Sequence, residues 1–220
     1  PKANCILIMF GTNDATIVPP ISTTAYQANL QQIIDEPLYD NSARIITSDV
    51  ACSLSLEHWN SARQLLEMGL FPSAVVIQRA QFEAVVRSVW LLYAASDRNI
   101  EKLSNMLTLE TEQSAKNMPQ VAQMMDAIEK KAPPQAFDAL NRFKENSWKA
   151  LNSYAHAGIH PIRRHAEGYP LPLIADVTRN SNGLAVLSAF QASVLCGQQP
   201  LQKEILALAE RYPNCMPPPL

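Results

Sequence analysis

Leu151-Asn152-Ser153-Tyr154-Ala155-His156 closes an apolar-periodic stretch and runs into a turn that holds two further histidines, His160 and His165. Three of the chain's four histidines therefore fall in one short segment. Asn152 and His156 are four apart and share one helix face. Lys149 precedes His156 by seven residues, about two turns, on the same face. Cation, amide and imidazole together could hold a phosphate and move a proton near neutral pH. A plainer role for His156 is equally open. A histidine at a helix C-terminus meets the negative end of the dipole and can bond the last carbonyls, and Gly158 fits a helix end.

A second set lies upstream. Arg79, Glu83 and Arg87 follow one another at i, i+4 spacing amid Val75, Val76, Phe82, Val85, Val86 and Val89. Charges are rarely buried without partners. Either the three form an ion-pair ladder on the one exposed edge of a central helix, or Arg79 and Glu83 point into a polar pocket and orient His156. In the second case removing Glu83 would leave a buried charge unpaired, at a cost of roughly 3–5 kcal/mol.

Pro161-Ile162-Arg163-Arg164 is bracketed by His160 and His165. Arginine forks fit phosphate and carboxylate, so this is either an anion-gripping loop or a solvated turn. From Arg142 to His165 there are five Lys or Arg against one acid, Glu145. The whole chain, at net charge −2, gives no such reason to expect nucleic acid. His58 reads as a half-buried packing residue. The spacing of His156, His160 and His165 matches no familiar metal motif. Cys5, Cys52, Cys196 and Cys215 are scattered without C-x-x-C spacing. No metal is therefore expected. With no glycine-rich phosphate loop and no G-x-S-x-G elbow, no cofactor is expected either.

The elements that must position these residues read as helices. Periodicity predicts helices over Ser22–Glu36, from Asn41 or Ser42 to Met68 with Gly69 as its C′ residue, and over Pro72–Ala95. The last is apolar nearly all round and therefore central. Further helices are expected from Asp97 or Asn99 to about Met118, onward to Lys131, and over Gln135–His156, Asn182–Cys196 and Leu201–Tyr212. Ala157–Arg179, rich in Pro, Gly, His and Arg, reads as a long connection folded over the polar face. Before the helices, Cys5–Phe10 reads as a strand-like apolar arm ending in a Gly11-Thr12-Asn13-Asp14 turn. The result is an all-α helical bundle over 21–212, with an N-terminal arm at 1–20 and a proline-rich tail at 213–220 that should be extended or mobile.

At 220 residues and 47% hydrophobic residues, the chain can fill one core. Cys52 and Cys196 sit in helical apolar patterns and read as buried thiols. No apolar run is long enough to span a membrane, and a cytoplasmic protein is the expectation.

The segment Ser61–Glu83, continued to Trp90-Leu91-Leu92-Tyr93, and the segment Leu151–His160 resemble a bacterial family of all-helical proteins of unknown function. In that family an arginine and a glutamate on a central helix accompany a later helix-ending histidine. More distantly, Asn152-Ser153-Tyr154-Ala155-His156 is similar to the motif of the HEPN superfamily of helical ribonucleases and toxins: arginine, a polar residue that is often Asn, three residues, histidine. Leu151 stands where that arginine would be. The resemblance implies a metal-independent endoribonuclease of defence or toxin type acting on RNA. His156 would be base or acid, Asn152 would position it, and Arg79 or Lys149 would supply the missing cation. It also implies a homodimer, because such sites commonly form where two bundles meet. The alternative is a degenerate bundle that binds a partner protein or a small anion.

Overall fold

The computed structural model describes residues 36–218. Among them there are nine α-helices, one short 3₁₀ turn and no strand. The arm expected at Cys5–Phe10 and nearly all of the helix expected at Ser22–Glu36 lie outside the described residues.

Helix α1 spans Ala43–Glu67, capped by Ser42, whose hydroxyl accepts the Ile45 N–H. Gly69, at φ +74°, ends it in the left-handed conformation that glycine adopts without strain. Helix α2, Phe71–Tyr93, begins with a proline in its first turn, where the missing N–H is no loss. Helices α3 (Asp97–Ser104), α4 (Leu109–Ala115) and α5 (Val121–Lys131) follow, then α6 (Pro134–Ala155), α7 (Ile159–Glu167), α8 (Leu171–Leu195) and α9 (Gln199–Arg211).

The core is built around α2, whose Phe82, Val85, Val86 and Leu91 have no exposed surface. Helices α1 and α8 pack on one side of it, α5 and α6 on the other. The contact between α1, α2 and α8 is polar. Ser48 and Ser88 each donate to the other's carbonyl at 2.8 Å, and the Gln191 amide donates to Ser48 Oγ at 3.2 Å. Two turns along, Ser55 donates to the Gln81 carbonyl at 3.0 Å and Ser188 to Ser55 Oγ at 2.9 Å. Gln81 and Ser181 exchange two bonds, 2.9 and 2.7 Å. These pairings run α1 antiparallel to both α2 and α8. Short side chains let the backbones approach, and each hydroxyl and amide here has a partner, which keeps a buried polar seam affordable. Cys52 and Cys196 are free and buried, and burial pushes the Cys52 thiol up to about 12.

Three expectations are corrected. The helix expected from Asp97 to Met118 is two helices, because Thr108 opens α4 with a reciprocal capping box to Thr111. The connection expected over Ala157–Arg179 is mostly helix: α7 and the first nine residues of α8 occupy it. Its prolines were legible only as breakers, yet Pro161 and Pro172 sit in first turns, where the N–H has no intrahelical partner. Gly168, at φ +92°, makes the break between α7 and α8. Finally, the proline-rich tail is held rather than free as far as Pro218. Arg142 donates to the Pro218 carbonyl, Arg179 to that of Asn214 and Asn182 to that of Cys215.

Candidate functional site

Helices α2 and α6 run antiparallel and meet through a ladder of rings. Phe82 stacks on Phe143 at 4.7 Å between centroids and meets Trp148 edge-on at 5.8 Å. One turn back on α2, the Arg79 guanidinium lies 5.2 Å from the Trp148 ring centroid, a cation–π distance. Its Nε donates to Glu83 Oε1 at 2.8 Å. Its Nη1 lies 3.5 Å from His156 Nε2. Arginine can only donate, so this contact is a hydrogen bond when Nε2 is the unprotonated nitrogen. Arg79, Glu83, Trp148 and His156 thus converge where α6 ends on α2. The place is open: the Arg79 and Glu83 side chains keep 22% and 37% of their surface and His156 is exposed. Arg79 and Glu83 form the i, i+4 pair, Arg87 adds no ion pair with the described residues, and it is Arg79 that reaches His156.

The end of α6 fixes the backbone that carries the imidazole. The Gly158 N–H donates to the Ser153 carbonyl at 2.7 Å and that of Ala157 to Tyr154 at 3.4 Å, the paired bonds of a Schellman closure. The left-handed residue is Ala157, at φ +49°, where glycine is usual. Glycine instead stands next, at Gly158, where a Cβ would come within 2.6 Å of Ser153 Oγ. That hydroxyl accepts the His160 N–H at 3.1 Å, satisfying an open donor in the first turn of α7. A single serine therefore joins α6 to α7.

The other candidates are less engaged. Asn152 accepts the His156 N–H through its carbonyl, but its side chain forms no hydrogen bond with the described residues. Lys149 is exposed on the same helix and makes no ion pair with the described residues. His160 is exposed beside the Tyr154 ring, 6.4 Å between centroids. Arg163 and Arg164 both pair with Glu167 one turn further along α7, so an internal carboxylate already engages both forks and offsets one of the two charges. Arg87, on the next turn of α2 after Glu83, has its pKa lowered by burial, opposed by the Glu83 charge.

The sequence reading assigns no role in this region to Trp148, Ser153 or Glu167. Trp148 carried a signal, since it precedes Asn152 and His156 at i, i+4 spacing. Glu167 becomes visible as a partner of Arg163 only once 159–167 is known to be helical.

Residues 52–218 match the model of DUF6988, a family of unknown function. The chain belongs to this family. No curated protein and no solved structure matches it. The family unit contains α2, α6 and the tail segment that α6 and α8 hold. Among the described residues no three His, Cys, Asp or Glu side chains gather as a metal site would need, and no helix is long and apolar enough to cross a membrane.

Proposed function

We propose that this chain is a HEPN-like, metal-independent endoribonuclease of the defence or toxin type, acting in the cytoplasm of a bacterium. The observation that carries the reading is the approach of Arg79 Nη1 to His156 Nε2 at 3.5 Å. The arginine missing at position 151 is replaced in space from another helix. Leu151 itself is 2% exposed, so its side chain belongs to the core.

In the reaction, His156 takes the proton of a ribose 2′-OH. The 2′ oxygen attacks the adjacent phosphorus, the P–O5′ bond breaks, and the products are a 2′,3′-cyclic phosphate and a 5′-OH. Arg79 stabilises the charge that develops on the non-bridging oxygens. Glu83 and Trp148 keep its guanidinium aimed at the imidazole. Lys149 adds a cation one step along α6. The leaving oxygen needs a proton, and a homodimer would supply it from the partner subunit's second copy of the imidazole.

A second reading is a non-catalytic module that binds a small anion or a partner protein. The idle side chain of Asn152 favours it, because nothing then orients His156 through that amide. Incubation of RNA with the protein in a chelator separates the two. Cleavage that leaves cyclic-phosphate ends and is lost in His156→Ala supports the first. Intact RNA that nevertheless binds at Arg79 supports the second.

A further inference from the structure

Arg79 Nη1 and His156 Nε2 touch at 3.5 Å, and they are the two atoms that the proposed chemistry needs free. Arginine has donors only, so Nε2 is the acceptor and the ring proton sits on Nδ1. In that tautomer Nε2 is the basic nitrogen of the ring. The guanidinium therefore covers the atom that would receive a proton, and the imidazole occupies a donor that would meet a phosphate. Nothing can stand between two atoms in contact. For both to touch one ligand, one of the side chains must move.

The two are not held equally. Arg79 has two other partners: its Nε donates to Glu83 Oε1 at 2.8 Å, and its guanidinium lies 5.2 Å from the Trp148 ring centroid. The imidazole makes no other hydrogen bond with the described residues, and His156 is exposed at the C-cap of α6. The ring is therefore the side chain that moves. Its contact with Arg79 stands at the long limit for a hydrogen bond, and its acceptor is uncharged. A phosphate oxygen is an anionic acceptor that arginine binds at about 2.7–2.9 Å. Nη2 carries no hydrogen bond from the described residues, so the Nη1–Nη2 fork can take two oxygens of one phosphate. Binding there keeps Glu83 and Trp148 in place and gives up the imidazole contact alone.

We propose that Arg79 sets the tautomer of His156 and masks Nε2 in the free protein, and that a phosphate group on the arginine fork displaces the imidazole and unmasks it. The site is thus switched on by the anion it handles. This rests on the reading of Arg79 and His156 as a phosphate-handling pair and states how that pair is regulated. The step is an exchange of hydrogen bonds. Phosphate drives it because it binds the open arrangement better than the masked one.

The test is the imidazole tautomer of His156, read from long-range proton–nitrogen correlations of the isotope-labelled protein at mildly alkaline pH, where imidazole is neutral. An unconstrained histidine favours the Nε2–H form. His165, exposed and without a side-chain hydrogen bond among the described residues, supplies that reference in the same spectrum. In chloride, His156 should show the opposite form, Nδ1–H. Inorganic phosphate at equal ionic strength should return it to the His165 pattern. Arg79→Gln should show that pattern with or without phosphate. A wild-type His156 ring that matches His165 in chloride, or that phosphate leaves unmoved, overturns the proposal, and so does an Nδ1–H ring that persists in Arg79→Gln. The first two comparisons use wild-type protein and hold even if the variant folds poorly. The ribonuclease reading is judged separately. RNA cleaved by a protein whose His156 matches His165 in chloride overturns the masking alone. An Nδ1–H ring released by phosphate, with RNA left intact, upholds the masking on a site that binds and does not cleave.

Discussion

Nη1 of Arg79 and Nε2 of His156 lie 3.5 Å apart although 77 positions separate the residues. Two independent devices bring them there: the Phe82–Phe143–Trp148 packing that sets α2 on α6, and the Schellman closure that stops α6 at His156.

Glu83 holds Arg79 at a half-open surface, and this sets the energy of the pair. With 37% of its side chain exposed, Glu83 is no buried charge. The roughly 3–5 kcal/mol expected for a buried pair gives way to about 1 kcal/mol or less. Glu83→Gln should shift the urea midpoint only slightly. A loss above about 3 kcal/mol would mean the pair is sealed in solution.

Ala157 should be improvable. At φ +49° it sits where an L-residue is strained, so Ala157→Gly should stabilise the fold by about 0.5–1 kcal/mol. Its neighbour behaves oppositely. Gly158→Ala would drive a Cβ to 2.6 Å from Ser153 Oγ and should destabilise by about 1–3 kcal/mol. Thermal melts of the two variants should move in opposite directions.

Phosphate should raise the melting temperature through Arg79 and not through α7. Arg163 and Arg164 already share Glu167, so Arg163→Gln with Arg164→Gln should keep the rise, and Arg79→Gln should lose it. Comparing variants in one buffer cancels the nonspecific effect of an excluded salt. Loss of the rise in the α7 double variant would return the anion site to that helix.

The seam between α1, α2 and α8 should be intolerant of half-repairs. Gln81 is fully buried and exchanges two bonds with Ser181. Gln81→Leu leaves the Ser181 hydroxyl and carbonyl each without that partner and should cost about 2–3 kcal/mol. Adding Ser181→Ala should recover part of the loss. Chemical denaturation of the two variants checks this.

Much of this was legible in the sequence, and the gaps have physical causes. Helices α1, α2, α6 and α9 follow from apolar periodicity, with Gly69 closing α1 and Pro72 opening α2. The segment 157–179 did not, because proline is a breaker inside a helix and acceptable in its first turn, and composition alone does not distinguish the two. Arg79, Glu83 and His156 were visible as charges and imidazole in apolar company. Their contact was not, because it depends on the antiparallel setting of α2 on α6. The buried seam was harder still. Ser48 and Ser55, Gln81 and Ser88, and Ser181 and Ser188 each recur at seven-residue spacing, but small polar residues on helices usually face water, and only packing reveals that these face one another.

The most direct measurement is the rate of RNA cleavage by wild type, Arg79→Gln, His156→Ala and the double variant, each purified and shown by circular dichroism to be folded. If guanidinium and imidazole act as one unit, each single variant should lose at least about a hundredfold in rate, and the double variant should be scarcely slower than the worse single one. Wild-type cleavage that survives His156→Ala unchanged would contradict the account.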